Sequence, residues 1–160
     1  MPKVTLRPAS DGDAPAIAEI WRSGWADGHL GNVPDALVAV RTPESFQIRA
    51  VEGLAHTTVA LVGDAVAGFV TVVDDEVEQV YVAGTHRGSG VAVVLLGEAE
   101  RLVAAEGYRE AWLAVAPGNA RARSFYERSG WSEAGLFDYP ASTADGPMPV
   151  PCHRYVKAVG

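Results

Sequence analysis

The sequence predicts an α/β (α+β mixed) domain: a central mixed, mostly antiparallel sheet flanked by helices. Three observations lead there. Apolar residues alternate with a period of two over several short runs and recur at helical spacing over others. Two tight turn pairs, Gly63-Asp64 and Asp74-Asp75, separate three consecutive strand-like runs, which implies an antiparallel meander. The third of those runs feeds a glycine-bearing loop and then a long helix, Gly90 to Glu106, with one apolar stripe: Ala92, Leu95, Leu96, Ala99, Leu102 and Val103.

In order along the chain, Val4-Thr5-Leu6-Arg7 alternates and reads as the first strand. Ser10 stands three residues before Asp13, a helix-start signature with aspartate in place of glutamate. Ala16, Ile17, Ile20, Trp21 and Gly24 follow at helical spacing, and Gly28, Gly31 and Asn32 end the helix. Thr42-Pro43-Glu44 starts a second helix that runs to about Val51. The meander strands are Thr57 to Val62, Ala65 to Val73 and Val77 to Ala83. After the long helix, Gly107 is the stop, Glu110 to Val115 is a strand, and Asn119 caps a helix ending near Gly130. Trp131 to Phe137 and His153 to Val159 close the sheet. Pro140 to Pro151 between them, rich in proline and small residues, reads as a mobile surface loop.

The length of 160 residues suits one domain spanning 1–160. A net charge of −7 repels a phosphate backbone, so nucleic acid is excluded as a partner. Cys152 is the lone cysteine and cannot form an internal bridge; with no clustered ligands, no metal site is expected. The first ten residues lack an apolar signal core, and no apolar run approaches the roughly 20 residues of a membrane span. A cytoplasmic protein that avoids membranes is the expectation.

The chemistry sits first in Val80 to Ala92. Gly88 and Gly90 admit backbone angles closed to other residues, and the unpaired amides at the helix start favour an anion such as pyrophosphate. The loop lacks the Lys-Ser/Thr pair of a P-loop. It also misses the dinucleotide fingerprint, because Val93 stands where a small residue is needed. The spacing Arg87-x-x-Gly90-x-Ala92 resembles the Q/R-x-x-G-x-G/A motif of the GNAT superfamily of N-acetyltransferases. A second stretch is similar to that family's N-x-x-A-x-x-x-Y-E-x-x-G-F signature: Asn119, Ala122, Tyr126, Glu127 and Gly130 match in register, with Trp131 replacing phenylalanine. The resemblance covers roughly Val66 to Phe137; Gly84 departs from the proline many relatives carry.

The resemblance implies acetyl-CoA as cosubstrate and direct transfer of acetyl to a primary amine of a small molecule or peptide, with splayed strands forming the acetyl-CoA cleft. A non-catalytic acyl-CoA sensor of the same fold is the alternative. By resemblance, Val80, Tyr81 and Val82 offer main-chain groups to the coenzyme or to the oxyanion. Arg87, Gly88, Ser89, Gly90, Val91 and Ala92 hold its pyrophosphate, and Asn119 borders it. Tyr126 is the general acid for the departing thiolate, and Glu78 or Glu76 the base for the amine. A period of two puts Glu76 and Glu78 on the face of Val80, with Glu78 nearer the thioester and Tyr81 turned to the other face. His29 can line an acceptor pocket, Trp21 and Trp25 are core, and Arg121 and Arg123 either reach phosphate or stay solvated. Many relatives dimerise, and the last two strands leave an edge to pair, so a homodimer is expected.

Overall fold

The computed structural model describes residues 3–160. Its elements are β1 (Val4–Pro8), α1 (Ala14–His29), α2 (Asp35–Val40), α3 (Pro43–Glu52), β2 (Thr57–Val62), β3 (Ala65–Val73), β4 (Glu76–Val82), α4 (Val91–Ala105), β5 (Glu110–Val115), α5 (Ala120–Arg128), β6 (Ser132–Ala141) and β7 (Met148–Ala158). The strands make one seven-stranded sheet in the order β1-β2-β3-β4-β5-β7-β6. Every neighbouring pair is antiparallel except β4 with β5.

Each face of the sheet is covered by a different set of helices. On one face Ile17, Trp21 and Trp25 of α1 meet Phe46 of α3, Val59 and Phe69. On the other, the α4 stripe of Leu95, Leu96, Ala99 and Val103 packs on Val70, Val77, Ala111 and Leu113. These are the stripes the helical periodicity predicts. The start of α1 also follows its signature: Asp13 accepts the Ser10 amide at 2.8 Å and takes two hydrogen bonds from Arg7 at 2.7 and 3.0 Å. Thr42 caps α3 by accepting from the Ser45 amide.

The structure adds an element between the first two predicted helices. Six-residue α2 follows Pro34 and buries only Leu37 fully, so it carries no repeating stripe for a sequence to display. It also corrects the predicted mobile loop at Pro140 to Pro151. There β6 and β7 run on as a hairpin, pairing Asp138 with Pro151, Tyr139 with Val150 and Pro140 with Pro149. The register of β5 on β7 ends at Val115 opposite His153, so among the described residues the earlier half of β7 pairs with β6 alone. Prolines lack an amide donor, and an edge facing away from the sheet needs none.

Candidate active site

β4 and β5 separate almost as soon as they meet. Their one register pair is Glu76 with Trp112, and the Trp112 amide donates to the Asp75 carbonyl at 3.0 Å. Past that point the strands splay. The Ala83 amide donates to Ala67 of β3 at 2.8 Å. Alternation then directs the polar groups of Tyr81 toward β3 and those of Val80 and Val82 into the splay. A cavity of about 410 Å³ opens there, and α1, α2, α3, β4, β5, α5 and the β6–β7 hairpin all contribute walls. Tyr126, Asn119, Glu76, Glu78, Val80 and Tyr81 line it together, although they come from positions up to fifty residues apart.

The carboxylates do not share the face of Val80. Gln79 pairs with Thr71 but Val77 pairs with Val72, so Glu78 has no partner and β4 bulges. One extra residue resets the alternation. Val77 therefore packs with Val80 and Val82 toward α4, while Tyr81 packs with Trp21 and Phe69 toward α1. Glu76 and Glu78 lie on the α1–α3 face with Tyr81, opposite to what a strict period of two predicts. Glu76 accepts a hydrogen bond from the Tyr139 hydroxyl at 2.5 Å. Burial pushes its carboxyl up to about 7, against the Tyr139 hydrogen bond, with the charges of Glu78 and Asp75 adding to the rise. Glu78 is exposed at the rim; partial burial raises its carboxyl too, opposed by Arg49 and His56.

Tyr126 projects from α5, its ring among Phe125, Trp131 and Tyr155. Burial alone holds its phenol well above the usual range, so it is protonated throughout the physiological pH range. Tyr81, half-buried against α1, is likewise raised by desolvation. It lies so close to α1 that only a glycine fits at position 24, where a Cβ would stand 2.4 Å from the Tyr81 ring.

The loop before α4 has the predicted geometry. Gly88 and Gly90 adopt φ of 78° and 85°, and a Cβ at either would meet only open space. No side chain caps α4, so its first amides remain available to an anion. Val91 turns its side chain into the core, Ala92 is half-buried, and the Ser89 hydroxyl donates to the His86 carbonyl. Arg87 pairs with Asp27 of α1 at 2.7 Å. Both border a second recess of about 430 Å³ that Asn119 and Arg121 complete. Asn119 is also the α5 cap, accepting from Ala122 at 3.2 Å. Arg123 bonds the Tyr155 hydroxyl and the Pro117 carbonyl.

The cavity holds residues that motif spacing did not reach: Arg41, Arg49 and Tyr139. Tyr139 was legible in principle, because Phe137, Tyr139 and Ala141 continue the alternation of β6. The arginines belong to no motif. His29, the last residue of α1, does line the cavity, stacked on Trp25 with Nδ1 3.0 Å from the Trp25 carbonyl. Burial drives it down to about 4, so it is neutral. Cys152 is buried in the wall, and burial pushes its thiol up to about 11, which leaves it a poor nucleophile. Among the described residues no group of three metal-ligating side chains occurs, and no helix is long and apolar enough to cross a membrane.

The same fold recurs in solved structures. A GCN5-related N-acetyltransferase from Rhodopseudomonas palustris superposes with a TM-score of 0.75 at 20% identity, covering 99% of this chain and 97% of its own. An N-acetyltransferase from Staphylococcus aureus Mu50 gives 0.73 at 19% identity, with 99% of both chains covered. The paia N-acetyltransferase of Thermoplasma acidophilum, in complex with coenzyme A, gives 0.68 at 17%, covering 98% and 99%. No curated protein matches the sequence significantly. The sequence model of the Acetyltransferase (GNAT) family matches residues 16–131, which include the splayed strands, the glycine loop and Tyr126, and the chain belongs to that family.

Proposed function

We propose that the protein transfers an acetyl group directly from acetyl-CoA to a primary amine. The observation that carries this is one cavity, at the splay of β4 and β5, that holds both a carboxylate raised to about 7 and the hydroxyl of Tyr126. A purely binding module has no need of a base held near neutrality beside a phenol. Acetyl-CoA supplies the activated thioester when bound, and the residues present fit it. The open amides of α4 suit a pyrophosphate, and the inward-facing groups of Val80 and Val82 suit the amide-bearing arm. Coenzyme A bound to the Thermoplasma acidophilum enzyme of the same fold supports that choice.

An amine gives up two protons when its ammonium form becomes an amide. Glu76 takes the first before attack; a base near 7 is well matched to that task at neutral pH. The Val80 amide faces the carbonyl oxygen as negative charge builds. The second proton ends on sulfur by way of the Tyr126 hydroxyl. Because burial raises that phenol above a thiol's usual value of about 8.5, Tyr126 acts chiefly by donating a hydrogen bond to sulfur as charge develops. A thiol-release assay with acetyl-CoA and a library of small amines, amino acids and peptides tests the proposal. Tight acetyl-CoA binding with no amine-dependent thiol release would favour the sensor alternative.

A further inference from the structure

The cavity contains an unbalanced pair of cations. Arg41 closes α2 and Arg49 projects from α3, and both line the wall facing the β4 carboxylates. Among the described residues neither forms an ion pair. Arg41 Nε and Arg49 Nη1 are buried and have no hydrogen-bond partner among the described residues. Buried polar groups are nearly always paired, and a guanidinium cannot discard its charge to escape the cost. Arg49 sits over the Trp21 ring, 4.3 Å from its centroid, a contact that offers its charge a π-face but no hydrogen-bond acceptor atom. Burial and the charge of Arg49 both bear on Arg41, bringing it down to about 10, still protonated at neutral pH.

The surrounding residues do not supply the missing anion. Glu78 influences Arg49 from beyond ion-pair distance. His29 is neutral, and as Nδ1 donates to the Trp25 carbonyl, only Nε2 is left, as an acceptor. The same cavity carries Glu76 on β4, the proposed base for the amine. The one cavity thus carries a group suited to an ammonium and two suited to a planar or tetrahedral oxyanion, within a volume of about 410 Å³ that admits a small molecule.

We infer that the acceptor is a small amine that also carries a compact oxyanion, a carboxylate or a phosphorus oxyanion, which Arg41 and Arg49 hold while the amino group faces Glu76. This rests on the acetyl-transfer proposal for the chemistry, but not for the binding. Arginine forks match such groups bidentately, and a site built for an oxyanion rejects the neutral analogue because its own donors would then be left unpaired. The class is that of amino acids and aminoalkylphosphonates, not of simple alkylamines.

The test compares standard L-amino acids and aminoalkylphosphonates with the α-carboxamides of the same amino acids. Thiol release gives kcat/KM, and quenching of intrinsic tryptophan fluorescence, to which Trp25 in the cavity wall contributes, gives binding without turnover. At least one acid should exceed its own carboxamide by about 10²-fold in kcat/KM. Arg41→Gln and Arg49→Gln should abolish that preference, mostly through KM, with acetyl-CoA affinity by calorimetry unchanged; the wild-type comparison stands even if a variant folds poorly. Carboxylate against phosphonate decides which oxyanion is preferred. Selective quenching by acids with no thiol release would uphold the arginine site and sink the acetyl-transfer proposal. An equal response to acid and carboxamide, or none to either, would overturn the inference.

Discussion

Tyr139→Phe offers a perturbation whose sign can be worked out in advance. The Tyr139 hydroxyl donates to the Glu76 carboxylate at 2.5 Å and stabilises its charged form. Removing the hydroxyl keeps the ring and withdraws that support, so the carboxyl should rise above its present value of about 7. A hydrogen bond to a charged group contributes about 1.5–3 kcal/mol, and 1.36 kcal/mol is one pH unit. Solvent entering the gap recovers part of it, which leaves an expected shift of about one unit. The assay is the pH dependence of kcat/KM by thiol release between pH 5.5 and 9.5. In the wild type the rate should climb through about pH 7 as Glu76 ionises; in Tyr139→Phe the climb should move up by that unit and reach a similar plateau. Two acceptors of different amine basicity separate this limb from titration of the amine itself. Glu76→Gln should lower the plateau by about 10²–10⁴-fold and erase the limb. A limb that stays in place in Tyr139→Phe, or survives in Glu76→Gln, would refute Glu76 as the base. A stability corollary follows. A carboxyl whose folded value lies near 7 against an ordinary 4.5 makes the folded state the tighter proton binder, so the Glu76 contribution to stability falls as pH rises through that interval, opposed by buried His29, whose depressed value acts with the opposite sign. Glu76→Gln should gain stability relative to the wild type between pH 4.5 and 8, which urea titrations of both proteins at the two pH values would show.

Other substitutions address the remaining parts of the site. Tyr126→Phe should reduce kcat by about 10²-fold while acetyl-CoA affinity by calorimetry stays the same; full turnover would make Tyr126 a packing residue. At Gly90 the φ of 85° would strain any replacement, so Ala92→Asp is the cleaner probe of the phosphate loop. An acid in the first turn of α4 gains about 0.5 kcal/mol from the helix dipole, loses about as much in helix propensity and repels pyrophosphate, so thermal unfolding should stay near wild type as acetyl-CoA affinity falls. Gly24→Ala gains about 1 kcal/mol of helix propensity but places a Cβ 2.4 Å from the Tyr81 ring. Overpacking of about 1–3 kcal/mol should dominate, and a denaturation midpoint at or above wild type would contradict that close approach.

The bulge at Glu78 shows why the site is more than its motifs. Without it, Glu76 would face α4 and lie in the core beside Val80. With it, Glu76 reaches the cavity and Tyr139. The groups that act on the β4 carboxylates therefore include Arg49 of α3, through its charge, and Tyr139 of the β6–β7 hairpin, through a hydrogen bond, and both lie outside the two family motifs.

What the sequence determined by itself is whatever local rules encode. Thr57–Val62, Ala65–Val73 and Glu110–Val115 fall where alternation and turn residues put them. The α4 stripe, the Asn119 cap and the two left-handed glycines before α4 are likewise set by residues a few positions apart. Those features were enough to recognise the family, because its signatures are made of them. Tertiary structure decided the rest. It folded α2 against the core without a periodic stripe, and turned a proline-rich segment into an edge hairpin where no amide donor was needed. It shifted the face of two glutamates by one unpaired residue, and brought Arg41 and Arg49 into one cavity with Glu76. The physical reason is range: periodicity and capping act over a few residues, whereas a bulge, an edge or a buried charge is defined by atoms from distant parts of the chain.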